Sequence, residues 1–298
     1  MKALIYHGPG KRSWQDAPDP DLIDPTDAIV RVDAVTICGT DLHILGGDVP
    51  ETTPGRILGH EAVGTVVETG TAVAGLHVGD RALLSYISDC GRCGYCRIGR
   101  YGQCRNGGGW ILGHLIDGTQ AEYVRVPFAD TSTYLLPEQV SDEAALLLAD
   151  ILPTSYEVGV LAGRLSPGQS VAVVGAGPIG LAAISTAKLL SPTLIIAIDK
   201  DPARCDAAKT FGADIALEPG AHCVEQIMAG AGPNLSSPLG AGVVSIASKS
   251  SIDKVNRQST RSGPGRSRRC RTGASGSPRP PRSLPESGTG SGPLVPPR

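Results

Sequence analysis

The sequence predicts two domains, a β-rich, partly open barrel over residues 1–150 and then a doubly wound parallel α/β sheet. Three observations carry that prediction. Short apolar runs separated by Gly, Pro and Asp turns fill the first half. From about residue 151 apolar strands alternate with helical patterns, the signature of a parallel sheet covered on both faces. The first of those strands ends in a G-x-G-x-x-G turn that opens a helix.

The elements follow in order. MKALIYHG at the N-terminus alternates as a strand, and AIVRVDAV (28–35), HEAVGTVVETG (60–70) and AEYVRVP (121–127) read as further strands. SVAVVGAGPIG (170–180) is a buried strand with its glycine turn, and LAAISTAKLL (181–190) continues as a helix. LIIAIDK (194–200) and PARCDAAKTFGA (202–213) form a second strand–helix pair, DIALEP (214–219) and HCVEQIMAG (222–230) a third. The nucleotide-binding domain is therefore expected to span 151–230 and to be incomplete. Segment 231–298, rich in Ser, Arg, Pro and Gly, is expected to be disordered, because no aromatic follows Phe211 and little apolar area is left to offset ordering entropy. AGVVSIAS (241–248) is the one strand-like exception, without a convincing partner helix.

Charge divides the 298 residues in the same way. Residues 254–298 hold nine Arg and Lys254 against Glu286 alone, whereas the remainder holds 17 basic and 28 acidic residues. The N-terminus lacks the apolar core of a signal peptide, and no apolar run approaches the roughly 18 residues of a membrane span. A cytoplasmic protein with no membrane partner is the expectation.

Four cysteines, Cys90, Cys93, Cys96 and Cys104, fall at C-x2-C-x2-C-x7-C spacing in DCGRCGYCRIGRYGQC. Four thiolates so close in sequence can fill all coordination positions of a tetrahedral zinc, which makes the site structural. Disulfides are the alternative, but vicinal C-x2-C pairs strain them and nothing points to an oxidising compartment.

In the glycine turn, Gly175 permits the tight bend, Gly177 lets a pyrophosphate approach the backbone, and Gly180 allows close helix–strand packing. Pro178 and Ile179 begin the helix whose free N–H groups face the phosphates. Asp199, at the end of the next strand, is placed to hold the ribose hydroxyls and repel a 2′-phosphate, which favours NAD over NADP. Arg204 lies five residues on, beside the ribose or adenine, and tempers that preference.

A second metal is suggested by Cys38 and His60, with Asp150 as third ligand at the junction between the domains. Thiolate, imidazole and carboxylate would leave an open position where a Lewis-acid metal lowers the pKa of an alcohol. Cys38–His43, the GHE of 59–61, the GDR of 79–81, the cysteine quartet and GAGPIG resemble the zinc-dependent medium-chain alcohol dehydrogenase family over about residues 1–230. That resemblance implies a GroES-like catalytic domain coupled to a Rossmann domain, two zinc ions per chain, NAD, an alcohol substrate and a homo-oligomer. It gives Glu61 the part of an acid that can enter the metal shell and Asp41 that of the carboxylate orienting His60. Thr40 is similar to the hydroxyl that takes the substrate proton, His43 to the outer end of the relay through the nicotinamide ribose, and Thr154 to a nicotinamide contact.

The resemblance stops near 231. Arg, Pro, Gly and Ser are what GC-rich codons yield out of frame, so a truncation or frameshift near 231–240 is expected. A basic tail that binds a polyanion is the competing reading, weakened by the lack of aromatics among the arginines. A zinc-binding remnant without turnover is the third.

Overall fold

The computed structural model describes residues 1–220, 222–230 and 241–245. Its first part is antiparallel. β1 (Lys2–Tyr6) and β2 (Arg12–Asp16) form a hairpin. β3 (Ala28–Val35), β4 (Ala62–Thr69), β5 (Arg81–Leu84), β6 (Tyr123–Val126) and β7 (Thr133–Leu135) form a five-stranded sheet in the order β6-β3-β4-β5-β7. Bridges Ala3–Ala121 and Ile5–Ile57 fasten the hairpin to this body. The β3–β4 register slips at Ile29/Val30 and again at Val32/Ala34, and such bulges bend a sheet toward closure. Val30, Val66, Leu84, Val124 and Val126 fill the interior. α1 (Gly39–Gly46) lies between β3 and β4, and α2 (Ala129–Ser132) is a single turn before β7.

A helical stretch, Asp142–Leu161, joins the two halves. α3 (Asp142–Leu146) starts where Ser141 Oγ accepts the Ala144 N–H at 3.3 Å, with Asp142 and Glu143 at the positive end of the helix. α4 (Ile151–Thr154) follows, and Ser155–Leu161 widens into a π-helical turn, as in the Ala162 N–H to Glu157 O bond. The 150/151 division of the chain falls at the start of α4, where Asp150 is the N-cap residue. By length and composition the stretch could cross a membrane, with a mean hydropathy of 1.4. Here it lies between two cores, giving Ala145 and Ala149 to one and Val160 to the other.

The second part is βαβ. β8 (Ser170–Val174), α5 (Pro178–Ala187), β9 (Leu194–Ile198), α6 (Pro202–Phe211), β10 (Ile215–Leu217), α7 (Cys223–Gly230) and β11 (Ala241–Ser245) alternate. All pairings are parallel, in the order β10-β9-β8-β11. That is third, second, first, fourth, the doubly wound arrangement in which a ligand crevice opens beside the first strand. β8 and β9 are continuous apolar runs because both faces are covered. Ile184 and Ile196 are fully buried, each stabilising the fold by about 1.5–3 kcal/mol relative to exposure.

β11 falls in the stretch 241–248 read as the strand-like exception within segment 231–298, and Ala241–Ser245 pairs with β8 along its whole length. The rest of the expected tail, including the basic residues of 254–298, lies outside the described residues.

Candidate active site

Three stretches distant in sequence meet at the start of α1. Cys38 precedes the helix, its N–H donating to Asp41 Oδ2 at 3.0 Å, which fixes the first turn. His60 and Glu61 follow Gly59, whose φ is +94°. A Cβ on Gly59 would lie 2.6 Å from Gln120 Cγ and 2.7 Å from Thr119 Oγ1, so only glycine allows the approach. Asp150 arrives from the helical stretch.

Cys38, His60, Glu61 and Asp150 each turn one ligand atom into a space where all lie within 4.8 Å of one another. Cys38 Sγ is 3.5 Å from Asp150 Oδ2, and His60 Nε2 is 3.3 Å from the same oxygen and 3.7 Å from Glu61 Oε1. His60, Glu61 and Asp150 are buried. Both Glu61 oxygens, His60 Nδ1 and Asp41 Oδ1 are buried without a hydrogen-bond partner. Of these, the Glu61 oxygens belong to the cluster, and unpartnered buried carboxylate oxygens beside an S, N, O donor set suit a zinc ion.

The charges agree. Burial alone would push His60 down, but the Asp150 carboxylate, the Cys38 sulfur and Asp41 outweigh it and raise it to about 10. Burial pushes Glu61 up to about 7, with the Asp150 charge adding to it. Asp150 is held below the usual carboxylate range: burial opposes this, but the bonds from His60 and Thr154 prevail. Burial likewise raises Asp41. Asp41 Oδ1 stands 3.9 Å from His60 Nδ1, on the side away from the cluster.

Thr40 Oγ1 lies 3.6 Å from Cys38 Sγ. His43, one turn further along α1, is exposed. Thr154 donates its hydroxyl hydrogen bond to Asp150 Oδ1. The neighbouring Ser155 Oγ donates to Ile179 O at 3.0 Å, so one helical turn ties the cluster to the start of α5.

The glycine loop sits there. Gly175 has φ +94°, and a Cβ on Gly180 would stand 1.8 Å from Gly175 O. Nothing lies within 4 Å of a Cβ on Gly177, which leaves open space at the N-terminus of α5, where Pro178 is the first helical residue. Buried Asp199 accepts the Ala176 N–H at 2.7 Å and the Asp201 N–H at 3.0 Å. Arg204 Nη1 is 3.8 Å from Asp199 Oδ2, and Arg204 Nε is 3.8 Å from Asp201 Oδ2.

The quartet forms a separate cluster, its four sulfurs within 4.8 Å of one another and none in a disulfide. Cys93–Cys96 and Cys90–Cys96 separations of 3.4 and 3.9 Å bracket the edge of about 3.8 Å expected for four sulfurs around one zinc. The backbone N–H groups of Arg105 and Cys96 hold Cys93 down at about 6, whereas burial and the adjoining sulfurs push Cys96 up to about 12.

Sequence reasoning missed Asn106, Gln120 and Asp48, and gave Trp110 only as a pocket-lining candidate in a glycine-rich loop of unfixed position. Asn106 Nδ2 donates to Cys90 Sγ at 3.2 Å. Gln120 Nε2 donates to Asp41 Oδ2 at 3.0 Å. Trp110 meets His60 edge-on at 6.2 Å and stacks on His114 at 4.1 Å, with Trp110 Nε1 and His114 Nε2 buried and unpartnered. Asp48 Oδ2 pairs with His43 Nδ1 at 2.9 Å. The i, i+5 step from His43 to Asp48 through two glycines was the only signal that Asn106, Gln120 or Asp48 left.

An antiparallel barrel with two metal-type clusters, coupled to a Rossmann sheet, defines a two-domain dehydrogenase fold. The family profile of the alcohol dehydrogenase GroES-like domain matches residues 24–138. Zinc-type alcohol dehydrogenase B of Aspergillus flavus is 36% identical over 220 residues, covering 72% of this chain and 51% of its own length. An alcohol dehydrogenase of Cupriavidus necator is 40% identical over 234 residues, covering 73% and 63%. A medium chain reductase/dehydrogenase of Acremonium sp is 38% identical over 219 residues, covering 72% and 74%. Among solved structures, apo zinc dependent alcohol dehydrogenase 2 from Streptococcus pneumoniae has TM-score 0.76 at 42% identity, covering 87% of this chain and 72% of its own. A zinc-binding dehydrogenase from Sinorhizobium meliloti bound to NADP has TM-score 0.70 at 31% identity, covering 86% and 73%. The chain belongs to the zinc-dependent medium-chain alcohol dehydrogenase family. It spans between about half and two thirds of the length of the first two of these curated relatives.

Proposed function

We propose that this chain oxidises a primary or secondary alcohol to the aldehyde or ketone and passes hydride to NAD. Cys38, His60 and Asp150 hold a catalytic zinc, and Cys90, Cys93, Cys96 and Cys104 hold a structural one. The observation that carries the reading is the convergence of Cys38, His60, Glu61 and Asp150 one helical turn from the glycine loop. Bound there, the zinc supplies Lewis-acid charge to the substrate oxygen and the nicotinamide accepts the hydride.

The chain's own residues do the rest. Asp150 and Cys38 provide the negative charge that keeps a cation in place, and Asp41 orients His60 from behind. Thr40 Oγ1 takes the proton of the substrate hydroxyl and releases its own toward His43, which stands in solvent. Thr154 and Ser155 hold the cluster in register with the start of α5. Gly175, Gly177 and Gly180, with the N–H groups around Pro178 and Ile179, receive the pyrophosphate. Asp199 binds the ribose hydroxyls and disfavours a 2′-phosphate, while Arg204 narrows that selectivity.

One assay on the purified chain tests the reading, with zinc content measured beside reduction of NAD and NADP over a panel of primary and secondary alcohols. Two zincs and turnover that prefers NAD are expected. One zinc and no turnover would instead identify a remnant that keeps only the quartet loaded.

A further inference from the structure

Thr40 and His43 were reached from motifs, but the residue that decides which nitrogen of His43 can accept a proton is not in any motif. α1 ends at Gly46, and Gly47 caps it in the left-handed region at φ 82°. A Cβ on Gly47 would stand 2.9 Å from Pro9 Cγ, and Gly10 N–H donates to Leu45 O at 2.7 Å, so the neighbouring loop holds this turn from outside. The reversal returns the chain onto the last turn of α1, where Asp48 N–H donates to His43 O at 2.9 Å. Backbone and side chain then meet the same residue, because Asp48 Oδ2 is 2.9 Å from His43 Nδ1. Both side chains are more than half exposed, at 58% and 67%, so water competes for each, and the backbone turn keeps them together.

We propose that Asp48 is the positioning residue of the proton outlet. It fixes His43 in the Nδ1–H tautomer, so that Nε2 is the free acceptor. The inference rests on the reading of His43 as the end of the relay and names what makes that end competent. A carboxylate accepts and cannot donate, so the ring nitrogen facing Asp48 must carry a proton. In the neutral ring Nε2 then holds the lone pair. The proton leaving the substrate hydroxyl goes to Thr40 Oγ1, Thr40 gives up its own proton to the relay, and at the outer end His43 Nε2 takes up one proton and releases one to water. No electron moves in these steps, and the ring returns to its starting tautomer. While Nε2 is protonated, the imidazolium lies against the Asp48 carboxylate, which compensates its charge. Without Asp48 an imidazole in water prefers the opposite tautomer, and Nε2 starts the cycle already occupied.

The test uses full-length, zinc-loaded protein and two readouts. Nitrogen-15 spectra of the histidine rings should show His43 with protonated Nδ1 and bare Nε2 in the wild type. Asp48→Asn should move most of that population to Nε2–H, and Asp48→Glu should largely restore it. In steady-state alcohol oxidation Asp48→Asn should lower kcat about tenfold, a part of the 10²–10⁴ typical of a general base, with KM for alcohol and NAD within twofold. His43→Ala separates the two layers. If His43→Ala is impaired while Asp48→Asn matches the wild type in tautomer and kcat, the role of Asp48 is refuted and the relay stands. If His43→Ala is also unimpaired, the relay itself falls. Should the chain prove inactive, the tautomer measurement alone decides, and an Nε2–H ring in the wild type overturns the proposal.

Discussion

Asp150 carries two tasks with one carboxylate, since Oδ2 faces Cys38 and His60 while Oδ1 takes the Thr154 hydroxyl. Asp150→Asn keeps the shape and removes the charge that offsets a cation. It is expected to leave one zinc per chain instead of two and to lower kcat more than about 100-fold, beyond the usual loss of a mere supporting partner. Metal analysis after gel filtration checks it, and two retained zincs with unaltered turnover would sink the assignment. Asn106→Ala is the matching test at the other cluster. Loss of its N–H bond to Cys90 should speed zinc release to a chromophoric chelator about 10–100-fold, without changing the content of the first site. At this scale the sequence was legible wherever chemistry demands fixed spacing, as in the quartet and in Cys38 with His60. It was silent where a contact forms only through space, as between Gln120 and Asp41, 79 residues apart.

Elements were legible where burial imposes a pattern. After Ser170, β8 and β9 are apolar because helices cover both faces, and their motif reads off the chain directly. The π-helical turn at Ser155–Leu161 left no trace, because widening a helix by one residue changes which side chains align and not which residues are used. β11 was hard to place because five residues without a recognisable partner helix differ little from their low-complexity surroundings. The glycine loop yields the prediction that belongs here. Gly180→Ala would drive a Cβ to 1.8 Å from Gly175 O, a backbone atom that no rotamer change can move aside. The first turn of α5 must then lift from β8, at a cost of about 1–3 kcal/mol. Thermal unfolding should shift down accordingly, and NAD should bind at least tenfold more weakly by fluorescence titration. Wild-type affinity in Gly180→Ala would show that the nucleotide does not use this loop.

The molecule as a whole has separate interiors. Val30, Val66, Leu84 and Val126 belong to the barrel, whereas Val173, Ile184, Ile195 and Ala197 belong to the parallel sheet. The quartet lobe belongs to neither, since Cys96 is its one buried apolar side chain between residues 90 and 104. A lobe with so little apolar area cannot order itself by burial, so its fold is expected to depend on metal as small zinc domains do. Removing zinc should therefore act locally. Chelation is expected to lose amide protection first across residues 90–106, then to weaken the barrel near Cys38 and His60, and to leave β8 and β9 protected. Heat should likewise give two transitions, of which only the one assigned to the barrel moves down with chelator, because two cores need not unfold as one. Hydrogen exchange with mass readout at matched chelator concentrations resolves the order. Uniform loss of protection across β4, β5, β8 and β9 would mean that the helical stretch Asp142–Leu161 couples the cores into a single cooperative unit, and the metal would then stabilise the whole chain.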